Sequence, residues 1–176
     1  MKRNLTLICC IVLCATPGLA LKKASKQPMS DQQFVNFAGQ TDMTDANLGQ
    51  LADTSASSKS IRDYAQKLVT DQTNDFHQLS KVAQQASLNV PEAIDTERNK
   101  TTISPFHKLK GNAFDHRFVE EMIAGDTKAI DIYKKEAADA QNSALKSYAE
   151  EALPILQSHL AEAKNMEKMK AAANKG

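Results

Sequence analysis

The sequence predicts an all-α bundle of four long helices. Three observations carry this. Four segments return an apolar residue every three to four positions, and two of the joins between them are short and polar. No stretch alternates apolar and polar residues as a half-buried strand would.

Ser30 is placed to cap the first segment, about residues 31–54. Its inward stripe is Phe34, Ala38, Thr41, Asp45, Leu48 and Ala52. The second segment, about 59–87, repeats the pattern through Ile61, Ala65, Leu68, Gln72, Phe76, Leu79 and Ala86. The third, about 112–139, does so through Phe118, Met122, Asp126, Ala129, Ile130 and Tyr133. The fourth, about 142–169, does so through Leu145, Ala149, Ala152, Leu156, His159, Ala163 and Met166. The serine-rich join at 55–60 and the join near 140–142 each imply an antiparallel hairpin.

The middle connection, 88–111, is long and carries Pro91 and Pro105 as helix breakers. A short helix is expected around residues 92–100, with another turn before Gly111. A connection of this length can run the length of the bundle, which is the ferritin-like arrangement.

The N-terminus reads as a cleaved secretory leader over residues 1–20. Lys2 and Arg3 precede an apolar run from Leu5 to Ala15, and Gly18 and Ala20 give a small-residue exit. The run is too short to span a bilayer. Export to the periplasm or beyond is therefore expected, followed by a tail over 21–29, a bundle over 30–170 and a C-terminal tail over 171–176. All three cysteines, Cys9, Cys10 and Cys14, fall in the leader. Thiolate chemistry and disulfides are thus excluded from the mature chain. Losing Lys2 and Arg3 turns a net charge of +1 into −1, which leaves no basic surplus for nucleic acid. No stretch after the leader is long and apolar enough to cross a membrane.

Several strings carry a resemblance: FVNFAGQTDMTDANLGQLA, AQKLVTDQT, GNAFDHRF with EEMIAGD, and ALPILQSHL. Together they resemble the bacterial family called domain of unknown function 4142, over about residues 31–166. The resemblance implies an exported, ferritin-like bundle and supplies little function. Its pattern carries an acidic residue on the first helix and a histidine on each of the others. Here those places hold Asp45, Gln72, Asp126 and His159, so two of the three histidines are replaced.

The same four residues stand out without the family. Each is a polar break in an apolar stripe near the middle of its helix, so antiparallel packing would bring them into one layer. Two carboxylates in a low-dielectric interior repel, and either a proton or a cation relieves them. Two Asp, one His and a Gln carbonyl form a mixed oxygen and nitrogen set suited to a divalent transition metal such as Zn²⁺, Mn²⁺ or Fe²⁺. A hydrogen-bonded layer that only fixes helix register is the other reading. No second cofactor is implied.

No catalytic residue set is present. The Glu-x-x-His pairs of carboxylate-bridged di-iron bundles do not occur. His77, His107 and His116 fall on polar or loop stretches and read as surface residues; Asp115 reads as a brace at the start of the third long helix. Three roles follow: a non-catalytic binding or stress-related exported bundle, a metal-dependent redox or storage protein, and a helical interaction module that pairs with a partner or itself. The partner is not specified by the sequence.

Overall fold

The computed structural model describes residues 29–173. The leader expected at 1–20 lies outside these residues, as does most of the tail expected at 21–29. The described residues are all-helical, with no strand among them. The long helices are α1 (Asp31–Ser55), α2 (Lys59–Gln85), α4 (Gly111–Asp139) and α5 (Ser143–Ala173). A single short turn of α-helix, α3 (Thr96–Arg98), opens an irregular stretch in the middle connection.

Local chemistry sets the starts of two of the four long helices. Ser30 accepts from the Gln33 amide, and the Gln33 side chain accepts from the Ser30 amide, so two orphan donors of α1 are satisfied reciprocally. Asn142 Oδ1 accepts from the amides of Ala144 and Leu145 at the start of α5. Beyond the expected end at 170, α5 continues to Ala173, and it runs unbroken through Pro154, whose ring is exposed.

The apolar stripes collect into two cores. One joins Phe34 and Ala38 from the start of α1, Leu79 and Ala83 from the end of α2, Ile130 and Tyr133 from the end of α4, and Leu145 and Ala149 from the start of α5. The other joins the opposite ends, through Leu48, Ala52, Ile61, Leu68, Phe114, Phe118 and Ala163. Hence α1 and α5 run one way, and α2 and α4 the other. Aromatic edges tie each core: Phe34 meets Tyr133 at 5.0 Å between ring centroids, and Phe106 meets Phe114 at 5.6 Å.

Because α2 ends at one core and α4 begins at the other, the middle connection must travel lengthwise. It does so along α1. Gln32 donates to the Asn89 carbonyl and accepts from its amide, at 2.7 and 3.1 Å. Gln40 donates to the Ala93 carbonyl and accepts from the Asp95 amide, at 2.7 and 2.9 Å. Gly39 lies under Pro91, where a Cβ would sit 2.8 Å from the proline ring. Farther on, Ile103 and Phe106 enter the second core, and Lys110 reaches Ser55 at 2.8 Å. The helix expected at 92–100 starts only at Thr96, because Asp95 caps it by accepting from the Arg98 amide at 2.7 Å. It passes at once into a π-helical turn over Asn99–Ile103 and a 3-10 turn over Ser104–Lys108.

The α1–α2 seam is tight at Gly49. A Cβ there would lie 2.7 Å from Val69 Cγ2 and 3.0 Å from the Ala65 carbonyl oxygen, which is backbone and cannot rotate away. Gly49→Ala is expected to destabilise the fold by about 1–3 kcal/mol through overpacking. At Gly125 a Cβ would meet nothing within 4 Å. Gly125→Ala is expected to stabilise by roughly 0.5–1 kcal/mol through helix propensity alone. Urea unfolding of the two variants should shift in opposite directions; equal shifts would contradict the seam geometry.

Candidate functional site

Between the two cores the bundle interior is polar. Thr41, Asp42 and Asp45 of α1, Gln72 of α2, Asp126 of α4 and His159 of α5 are all buried there. Every one of the four layer residues read from the sequence is therefore inside. The belt interrupts what would otherwise be one continuous apolar core, and burying these groups opposes folding unless something compensates them.

Asp45 and Gln72 meet directly: Gln72 Nε2 donates to Asp45 Oδ2 at 3.3 Å. Burial pushes Asp45 up to about 7; the Arg98 guanidinium counters this and Glu121 adds to it. Asp126 is 1 % exposed, and its Oδ2 has no hydrogen-bond partner. Burial, and then the nearby Asp45 charge, push Asp126 up to about 8. Both carboxyls thus resist ionisation near neutral pH, chiefly because water is excluded, and Asp126 also feels the Asp45 charge.

His159 behaves differently. Its ring is fully buried, yet Nε2 turns toward the flank of α2 and bonds Asp71 Oδ2 at 2.8 Å. Asp71 also accepts from Lys67 Nζ at 3.0 Å. Burial alone would raise Asp71, but the bonds from His159 and Lys67 outweigh it and hold this carboxyl below its usual range. Burial holds His159 below its usual value despite the Asp71 bond. Burial thus favours the neutral imidazole, whose Nε2–H donates to the ionised Asp71. That leaves Nδ1 with a bare lone pair, buried and without a partner. The Tyr64 ring stands edge-on to this imidazole at 6.2 Å, and the Tyr64 hydroxyl donates to the His159 carbonyl at 3.4 Å.

A second acidic group escaped the sequence reading. Asp42, one turn before Asp45, faces Asp75 of α2. Asp75 Oδ2 accepts from the Tyr148 hydroxyl at 2.8 Å, and that hydroxyl lies 3.3 Å from the Tyr133 hydroxyl. One group from each long helix thus enters a single network. Asp42 Oδ2 finds no donor. Burial, and then repulsion from Asp75, push Asp42 well above the carboxylate range. A proton on Asp42 therefore serves the pair, bonding it to Asp75. The signal was in the sequence: Asp42 follows Ala38 by four positions, and Asp75 precedes Leu79 by four.

The other titratable residues sort by place. His77, His107 and His116 are exposed. Asp115 is buried but does not brace its own helix. It accepts from the Ser57 and Ser58 amides, each at 3.0 Å, and from the Ser57 hydroxyl at 2.6 Å, so it caps the start of α2 from α4. Among the described residues no group of three or more His, Cys, Asp and Glu side chains is arranged to hold a metal ion. No described helix is long and apolar enough to cross a membrane.

Residues 17–166 match the family described as "Domain of unknown function (DUF4142)". Among solved structures, one titled "CopM in the Ag-bound form (by co-crystallization)" is similar, with a TM-score of 0.61 and 17% identity. The similarity covers 81% of this chain and 96% of that one. At that identity the likeness concerns the fold. No curated protein matches the chain.

Proposed function

The chain belongs to the DUF4142 family, and from that premise we propose that it is an exported, non-catalytic, ferritin-like bundle whose interior polar belt takes up a divalent metal cation. The observation that carries this is two of the three orphaned atoms in the belt, the third being Asp42 Oδ2 of the Asp42–Asp75 pair. Asp126 Oδ2 and His159 Nδ1 are both buried without a partner, on adjacent helices. Buried polar atoms are nearly always paired, so two unpaired ones in one belt point to a ligand. Asp45 and the Gln72 amide oxygen complete the donor set. The ferritin-like reading is supported by the helix directions and the lengthwise connection. The export reading rests on the charged start, apolar run and small-residue exit of residues 1–20.

Oxygen donors and one imidazole suit Zn²⁺, Mn²⁺ or Fe²⁺. Silver, bound by the structural neighbour, is a softer ion that favours sulfur, and the belt is not built for it. Because no ready cluster of three is present, binding must draw Asp45 and Asp126 together and displace their protons. Affinity should therefore rise with pH as the two carboxyls pass about 7 and about 8.

A specific observation favours a second reading, in which the belt is structural: Asp45 already bonds Gln72, and His159 already bonds Asp71. One experiment separates the two. Protein purified without a histidine tag is analysed for metals, then melted with Zn²⁺, Mn²⁺, Fe²⁺ or chelator. An ion at a hundredfold excess over its dissociation constant adds about 2.7 kcal/mol. For a domain of this size that is roughly 5–11 °C in melting temperature, and chelator should remove it. A melt that no ion moves would end the metal reading and leave the structural one.

A further inference from the structure

The middle connection does not lie flat on the bundle. Between its Gln40 clamp and the Ile103 anchor it forms one wall of a cavity of about 420 Å³ that is open to solvent and has α1 and α4 as its other walls. Asp45 is on its wall; Gln72, Asp126 and His159 are not. Asp45 is also the most exposed of the four at 7 %, against 2 % or less for the others. We propose that this cavity is a vestibule that admits hydrated divalent cations to Asp45, with the Arg98 guanidinium as the charge that an incoming cation must displace.

The lining supports this choice of ligand. Thr41 and Thr44 on the α1 wall spend their hydroxyl hydrogens on the Phe37 and Gln40 carbonyls, at 2.9 and 2.6 Å. What they can offer the cavity is lone pairs. Glu121 of α4, and Asp95 and Glu97 of the connection, add carboxylates. The two cations on the wall are engaged: Arg98 lies 3.9 Å from Asp95, and Lys128 sits over the Phe37 ring at 5.5 Å. Gln72 uses only the Oδ2 atom of Asp45. The second oxygen of this carboxyl makes no hydrogen bond among the described residues, and the residue lines the cavity. Asp95, Glu97 and Glu121 outnumber Arg98 and Lys128 on this wall even before Asp45 is counted, and a surplus of acceptors favours cations over anions. The connection's wall draws on a π-helical turn, Asn99–Ile103, a local irregularity that recurs at functional sites.

The proposal rests on the metal reading for the cation's destination, so its test is made without metal. Cys9, Cys10 and Cys14 are changed to serine, and a reporter thiol is introduced as Thr44→Cys on the wall. Two methanethiosulfonates are compared, one carrying a quaternary ammonium and one a sulfonate. The ammonium reagent should react several-fold faster. Adding Glu121→Gln should shrink the ratio, and adding Arg98→Gln should widen it. Thr101→Cys on the connection's wall gives a second reporter if Thr44→Cys fails to fold. Equal rates, a faster sulfonate, or no labelling of a folded protein that labels once unfolded would each overturn the vestibule. A charge-selective cavity in a protein whose melt ignores every ion would instead count against the metal belt alone. Where both readings hold, Zn²⁺ should slow the labelling.

Discussion

Raising the pH from 5 to 8 weakens the metal-free fold. Asp45 and Asp126 carry much of this effect, and the raised carboxyls of Asp42, Asp75 and Glu136 act in the same direction. In the unfolded chain Asp45 and Asp126 ionise near 4, whereas in the fold they hold their protons to about 7 and about 8. Between those limits the native state binds more protons than the unfolded state, so stability falls as pH rises and levels off above the folded values. Moving a carboxyl from 3.8 to about 8 corresponds to on the order of 6 kcal/mol as a ceiling. Relaxation and water entry reduce it. His159 works the other way. Its folded value is depressed, so its contribution is complete above about 6.5 and is lost as pH falls below that. This opposing slope fades above about 6.5, where the unfolded imidazole also loses its proton. Asp71, also depressed, matters only in stronger acid. Urea midpoints at intervals from pH 5 to 9, in chelator, measure the slope. Asp126→Asn should flatten it by about one proton's worth. A midpoint that is constant or climbs across pH 5–8 would show that these carboxyls are ionised in the fold.

The helices were legible because their chemistry is local. Ser30 and Gln33 lie three residues apart and cap α1 with no outside help. The start of α2 was not legible in the same way. Ser58 stands at its N-cap but makes no side-chain cap bond; Asp115, far along the chain, supplies the acceptor instead. In the middle connection, helical propensity around residues 92–100 gave way to tertiary bonds, because Gln40 of α1 holds the backbone at Ala93 and Asp95 in a non-helical path. The prolines marked the breaks but could not show which surface the chain would follow.

The belt shows the limit of periodicity more sharply. A helical wheel places Asp45, Gln72, Asp126 and His159 on inward faces, and all four are buried. It does not say where a ring nitrogen points, and His159 turns Nε2 to Asp71 on the flank of α2. Nor does it weigh neighbours on the same stripe. Choosing one polar residue per helix left out Asp42 and Asp75, which the fold joins to Tyr148 and Tyr133. Ile155, one turn before the buried His159, is 41% exposed. A stripe gives the face of a residue; contacts across helices decide its partner.

Asp126→Leu should make the metal-free protein more stable while removing its response to cations. Asp126 Oδ2 has no hydrogen bond to lose, and the residue sits one turn from Met122 and Ala129 on a buried stripe. Replacing an unpaired buried acid by apolar volume is neutral or stabilising by about 1–4 kcal/mol, or roughly 2–4 °C of melting temperature for each kcal/mol in a domain of this size. Leucine is bulkier than aspartate, so Asp126→Asn, nearly isosteric, controls for overpacking. Both variants should fail to gain from Zn²⁺, Mn²⁺ or Fe²⁺, as should His159→Ala, which also leaves a cavity and should melt lower in every condition. Melting the four proteins with each ion and with chelator gives the comparison. If Asp126→Leu and Asp126→Asn both fall by more than about 3 kcal/mol in chelator, the size expected for breaking a satisfied buried interaction, then Asp126 is bonded in the native protein and the orphaned oxygen is not a ligand site. If Asp126→Leu melts higher and wild type alone responds to an ion, the belt keeps its carboxylate at a cost to stability because the cation needs it.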